Sequence, residues 1–212
     1  MCELIEPEAL EPIVKNNSGI IVDVCDYSRY AKAHIPSALH LQPQETFGPY
    51  PHKIGDLPNL NRIKEIIIKL GIIKHKPVYI YDDIGGVLAS RLIWLLDCVG
   101  YHNWILINGG LISWLKEGRA YKSTSSIDKT QEKKEIELKL KSLAHEYNFT
   151  KNQIISTLHS NDIIFWDSRS KGEFTGETKK AARAGHIPGS IHLDYRDSVS
   201  YTHLRAHETA TY

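Results

Sequence analysis

At 212 residues the chain has room for one large domain or two small ones with real cores. The 26 Lys and Arg against 25 Asp and Glu leave no basic excess for nucleic-acid binding, and mixed runs such as KTQEKKEIELKLK read as solvated surface. Three cysteines without paired spacing exclude a disulfide framework or a structural zinc site, and the 11 histidines form no HExxH pattern and an HxxxH only at His203 and His207, so no metal site is expected.

In chain order, the acidic start MCELIEPEALEP has neither the basic nor the apolar region of a signal peptide. Apolar runs such as LIWLL are too short to span a bilayer, so a cytoplasmic protein with no membrane association is expected. EPEALEPIVKN predicts a short helix, and Ile20 opens an apolar strand that runs into a polar turn and HIP. Asn61 is placed to cap an amphipathic helix through Ile63, Ile66, Ile67 and Leu70, which Gly71 stops. The stretch YIYDDIGGVLASR, from Tyr79, then reads as a strand, a glycine-containing loop and the start of a helix. Leu88, Leu92, Leu95, Leu96 and Val99 continue that helix to Gly100; WILI is another strand, and NGGLISWLKEG a turn and a short helix. Short apolar strands alternating with helices predict an α/β fold with a parallel sheet covered on both faces. STSSIDKTQEKKE, from Ser123, has the polarity of a linker.

The early part of this pattern occurs twice. IIVDVCDYSRYAKAHIPSALHL begins at Ile20 and IIFWDSRSKGEFTGETKKAARAGHIPGSIHL at Ile163. Asp23 aligns with Asp167 and His34 with His186; these lie 11 positions apart in the first copy and 19 in the second, the excess falling in TGETKKAAR. A short helix precedes each copy, and Thr150 with Gln153 has capping-box spacing. Two units are therefore expected, 1–122 and 146–198, joined by a linker and connecting strand over 123–145. Each is expected to be a parallel sheet flanked by helices, the second incomplete.

These motifs resemble the rhodanese family, in particular its tandem-domain thiosulfate and 3-mercaptopyruvate sulfurtransferases. Asp167, Ser168, Arg169, Glu173, Phe174 and the run Gly185-His186-Ile187-Pro188-Gly189 carry the family's DxR and GHIPG signature. The first copy has Cys25 for the arginine and Ala33 for the first glycine. YDDIGGVLASRLIWLLDCVGY and LINGGLISWLKEG are similar to the family's noncatalytic N-terminal domain. The resemblance implies a loop whose backbone N–H groups face a cysteine thiolate, and a persulfide formed on that cysteine. It also implies no cofactor, and as partners a small anionic sulfur donor and a thiophilic acceptor, in a protein expected to be monomeric at full length. Asp82 occupies the cysteine's place in the first copy, so no catalytic residue is assigned there. A carboxylate cannot carry sulfane sulfur, and Asp83 would repel an anionic donor. This loop reads as a retired site in which Asp82 and Asp83 cap the helix or bond the loop.

By the same spacing the second copy's loop falls near positions 226 to 234, past Tyr212. VSYTHLRAHET, from Val199, resembles a translated sequencing adapter. Residues 199–212 are therefore expected to be a non-native tail in which His203 and His207 carry no metal. Arg169 is the substrate-binding candidate, able to order the active loop or face the donor; a salt bridge to Glu173 or a neighbouring carboxylate is the structural alternative. The family's enzymes often carry arginine where Glu173 stands, which leaves the donor open. His34 and His186 are expected to bond backbone groups, Cys25 to be an inert half-buried thiol, and Cys98, Trp94, Trp104 and Trp114 to pack. Two functions follow. One is a sulfurtransferase whose cysteine lies past residue 212, this chain being inactive by itself; the other is a non-enzymatic rhodanese module for protein interaction or small-anion sensing.

Overall fold

The computed structural model describes residues 4–48, 56–72, 76–124, 147–160 and 162–198. The expected tail over 199–212 and nearly all of the expected linker lie outside the described residues. The chain divides into two units, Met1–Tyr147 and Asn148–Tyr212.

In the first unit, strands β1 (Leu4–Ile5), β2 (Ile20–Asp23), β3 (Leu39–His40), β4 (Val78–Tyr81) and β5 (Trp104–Ile107) form one sheet in the order β1-β5-β4-β2-β3. Every pairing in it is parallel. The two central strands, β2 and β4, are buried along their whole length, which is why they read as unbroken apolar runs and not as alternating ones. Ile20, Val22 and Val24 pack with helices α3 (Leu60–Lys69) and α4 (Val87–Cys98) on one face. Ile21, Cys25, Tyr79 and Tyr81 meet α1 (Pro7–Asn16) and α5 (Gly110–Lys116) on the other. The short helix α2 (Tyr27–Lys32) follows β2.

Local chemistry sets the helix ends. Asn59, not Asn61, caps α3: its side-chain oxygen accepts the Arg62 amide at 2.9 Å, the reach of an N-cap to the third helical residue. Asn61 already lies inside the first turn. At the other end Gly71 takes φ +61°, and the amides of Gly71 and Ile72 close on the carbonyls of Ile68 and Ile67, each at 3.0 Å.

In the second unit, α6 (Lys151–Thr157) starts with the reciprocal Thr150–Gln153 capping box. Strands β6 (Trp166–Asp167) and β7 (Ile191–His192) pair in parallel, with α7 (Lys171–Thr175) between them and α8 (Tyr195–Ser198) after. Among the described residues the fully buried apolar side chains all belong to the first unit, while Ile164, Trp166, Ile191 and Leu193 are exposed. Among the described residues no helix is long and apolar enough to cross a membrane.

Candidate functional site

The loop between β4 and α4, residues 82–86, stands at the carboxyl end of the central strand, where open parallel sheets place their ligand sites. Its amides converge on a single group. Oδ1 of Asp82 accepts from Ile84 N–H at 3.0 Å and Gly86 N–H at 2.8 Å. Oδ2 accepts from Leu88 N–H at 2.8 Å and Ala89 N–H at 3.1 Å, in the first turn of α4. The side chain is buried, so a carboxylate removed from water receives charge-assisted bonds and the favourable end of a helix dipole instead. The anion that this loop holds is its own.

The cradle is braced from α5. Leu111 N–H donates to the Asp82 carbonyl oxygen at 3.0 Å, and Gly110 approaches so closely that a Cβ there would lie 2.1 Å from that oxygen. Gly110 also has φ +55°, so glycine is required on both counts. Asp83, expected to repel an anion, is neutralised: Arg29 Nε on α2 donates to its Oδ2 at 2.7 Å. The residue matching Arg29 in the second unit is Glu173, which accepts instead from the Ser170 hydroxyl at 2.8 Å.

Neither described thiol is a nucleophile. Cys25 is completely buried, not half-buried, and burial followed by the charges of Asp23, Asp83 and Asp82 pushes its pKa far up. Cys98 packs within α4, its pKa also raised by burial and by Asp97. Beside Cys25, Asp23 Oδ1 accepts the Cys25 amide at 2.7 Å. Its Oδ2 has no partner at hydrogen-bond geometry, although the Tyr81 hydroxyl and the Cys25 thiol lie near enough to favour the charged form against burial. Burial is the larger effect, and the Asp23 pKa rises.

Arg169 lies at the end of β6 in a closed fork. Nε donates to Asp167 Oδ1 at 2.9 Å, Nη2 to Asp167 Oδ2 at 2.6 Å and to the Gly185 carbonyl at 2.9 Å. Its carboxylate partner is therefore Asp167, and hydrogen bonding to Arg169 holds the Asp167 pKa down. Both HIP histidines bond a backbone carbonyl through Nδ1: His34 to Tyr30 at 2.8 Å and His186 to Phe174 at 2.7 Å. Trp114 is buried, whereas Trp94 and Trp104 are only partly covered. Among the described residues no three His, Cys, Asp or Glu side chains are grouped so as to hold a metal ion. Asp82 bonds its own loop and caps α4 as the sequence led one to expect; that four amides converge on its two oxygens is the detail the sequence did not reveal.

A five-stranded parallel sheet flanked by helices, with an amide-lined loop after its central strand that holds a carboxylate, defines the class as α/β. The rhodanese-like domain model matches residues 6–117, and the chain belongs to the rhodanese family. It is 33% identical over 192 residues to a thiosulfate sulfurtransferase of Pseudomonas aeruginosa, covering 91% of this chain and 69% of the relative. It is 29% identical over 179 residues to the human 3-mercaptopyruvate sulfurtransferase, covering 81% and 57%. A solved structure of a 3-mercaptopyruvate sulfotransferase from Escherichia coli shares the fold at a TM-score of 0.75, with 20% identity over 92% of this chain and 76% of that one.

Proposed function

We propose that the protein is a rhodanese-type sulfurtransferase that moves sulfane sulfur from thiosulfate or a related donor such as 3-mercaptopyruvate to a thiophilic acceptor. The reading divides the chain into a noncatalytic domain, 1–122, a connecting segment, 123–145, and part of a catalytic domain, 146–198. The observation that carries it is the Asp82 cradle: four amides aimed at one side chain are the environment that would lower a thiol's pKa. In the first unit a carboxylate fills that place, so the nucleophile belongs to the second unit's counterpart of Asp82, a position that residues 148–198 do not include. There the thiolate attacks the outer sulfur of thiosulfate, the S–S bond breaks and sulfite leaves. The acceptor then takes the sulfane sulfur from the persulfide and restores the thiolate. Arg169 faces the donor's anionic end in this scheme.

The test is mass spectrometry of the complete gene product after incubation with thiosulfate. One added sulfur atom on a cysteine other than Cys25 or Cys98, removed by cyanide, is the expected result. No sulfur adduct on any cysteine of that product would sink the proposal. The 212-residue chain alone should show no thiosulfate:cyanide activity. The occupied first loop also favours a second reading, a non-enzymatic module, which a complete second loop without cysteine would establish.

A further inference from the structure

A second Asp-x-Arg turn stands beside the first. Asp194-Tyr195-Arg196 follows β7 as Asp167-Ser168-Arg169 ends β6. Asp194 Oδ1 accepts the Arg196 amide and Nε, each at 3.0 Å, and Oδ2 accepts Nη2 at 2.5 Å. This repeats, bond for bond, the fork in which Asp167 Oδ1 accepts the Arg169 amide at 3.0 Å and its guanidinium. The two turns are tied together: Tyr195 N–H donates to the Ser168 carbonyl at 3.0 Å, and Leu193 N–H to the Asp167 carbonyl at 3.2 Å. Two guanidiniums thus share the carboxyl rim of two adjacent parallel strands.

Each carboxylate holds the Nε and Nη2 edge of its arginine and leaves the Nη1 edge without a partner among the described residues. The fork fixes the direction of each guanidinium, and what it presents outward is a pair of N–H donors. Asp167 and Asp194 balance the two arginines, and Glu173 and Asp197 lie close to them. Four carboxylates around two guanidiniums leave the rim net negative, so net charge draws no anion here and recognition rests on directed hydrogen bonds to a small oxyanion.

We propose that Arg169 and Arg196 together form a two-armed site for a small tetrahedral sulfur oxyanion, with Arg196 as a specificity-determining residue. This rests on the sulfurtransferase reading of Arg169. Arg196 supplies a second guanidinium in a unit whose Glu173 sets a carboxylate close to Arg169.

The test is a titration of the full chain with sodium thiosulfate, against sodium chloride at matched ionic strength, following the Nε–H signals of both arginines by NMR. Both signals should move with one midpoint, and Arg196→Gln should weaken binding about tenfold, the loss of one charged hydrogen-bonding arm. Sodium sulfate should move the same two signals, since the oxyanion is the shared chemistry. An Arg169 signal that titrates while Arg196 stays still would overturn this inference and leave the sulfurtransferase reading intact. Silence from both would overturn this inference and remove Arg169 as the donor's contact, while the sulfurtransferase reading stands or falls on the persulfide test. The signals of the unsubstituted chain decide these outcomes, so none depends on a variant that folds poorly.

Discussion

In the first unit the His34 ring stacks on Tyr30 with centroids 4.0 Å apart, and in the second His186 stacks on Phe174 at 3.8 Å. His40 bonds the Cys25 carbonyl as His192 bonds that of Arg169, each at 2.9 Å. Above this shared framework the units part. Ile20 is 7% and Val22 0% exposed under α3 and α4, while their counterparts Ile164 and Trp166 are 75% and 57% exposed. The turn geometry is local, written into Asp, His and aromatic spacing, and survives without a core. Burial is not local; it depends on which helices and strands lie over the sheet. Two matching stretches of sequence therefore occupy different dielectric surroundings, and their shared residues acquire different chemistry.

The largest expected effect comes from emptying the cradle of the first unit. Asp82→Ala leaves the amides of Ile84, Gly86, Leu88 and Ala89 without their acceptor. The loss should be about 4 kcal/mol, since several charged hydrogen bonds vanish and buried donors stay unpaired. Asp82→Asn, which keeps the shape but turns one acceptor oxygen into a donor, should lose about half as much. Urea unfolding read from the first unit checks both. A loss below about 1 kcal/mol for Asp82→Ala would mean that the loop does not depend on its internal anion.

Next in size is the uncovered sheet face of the second unit. Ile164, Trp166, Ile191 and Leu193 match Ile20, Val22, Leu39 and Leu41, which pack in the first core. Covering one such side chain contributes about 1.5–3 kcal/mol, so this chain should self-associate. Sedimentation velocity should show concentration-dependent association, abolished by Ile164→Lys with Ile191→Lys. The melting of the first unit should not change. Equal sedimentation of both proteins would remove this face as the cause.

Much of this architecture was legible from spacing. Gly71 and Gly100 mark the ends of α3 and α4, and the Thr150–Gln153 pair the start of α6, because those signals act within one turn of backbone. The cap of α3 shows where such reading slips: Asn59 and Asn61 are both good caps, and only the register of Ile63, Ile66 and Ile67 against the sheet chooses between them. The site was partly legible. The glycine loop after β4 could be located, but the bonding of Asp82 to four amides, the Arg29 bridge to Asp83 and the complete burial of Cys25 need the fold. The Asp194–Arg196 fork escaped because a lone Asp-x-Arg is common; it gains meaning only beside Asp167 and Arg169.

The smallest effect is also the sharpest test of the comparison. Asp23 and Asp167 end equivalent strands, yet their pKa values move in opposite directions. The difference lies two residues on: Cys25 offers no countercharge to a fully buried carboxyl, whereas Arg169 grips a half-buried one. With its folded pKa above the unfolded value, Asp23 makes the folded first unit hold a proton that the unfolded chain has lost. Stability should then fall as pH rises from about 4 through the raised Asp23 pKa. Asp167, with its folded pKa below the unfolded value, contributes stability present above about pH 4 and lost as pH falls through the folded pKa. Carboxyl signals followed by NMR should titrate in that order, Asp167 below the model-peptide range and Asp23 above it. Asp23→Asn should flatten the first unit's decline above pH 4 while Arg169→Gln returns Asp167 towards its ordinary value. If Asp23 titrated below Asp167, surroundings would not be what separates the two units, and the contrast between a covered and an uncovered copy would lose its chemical consequence.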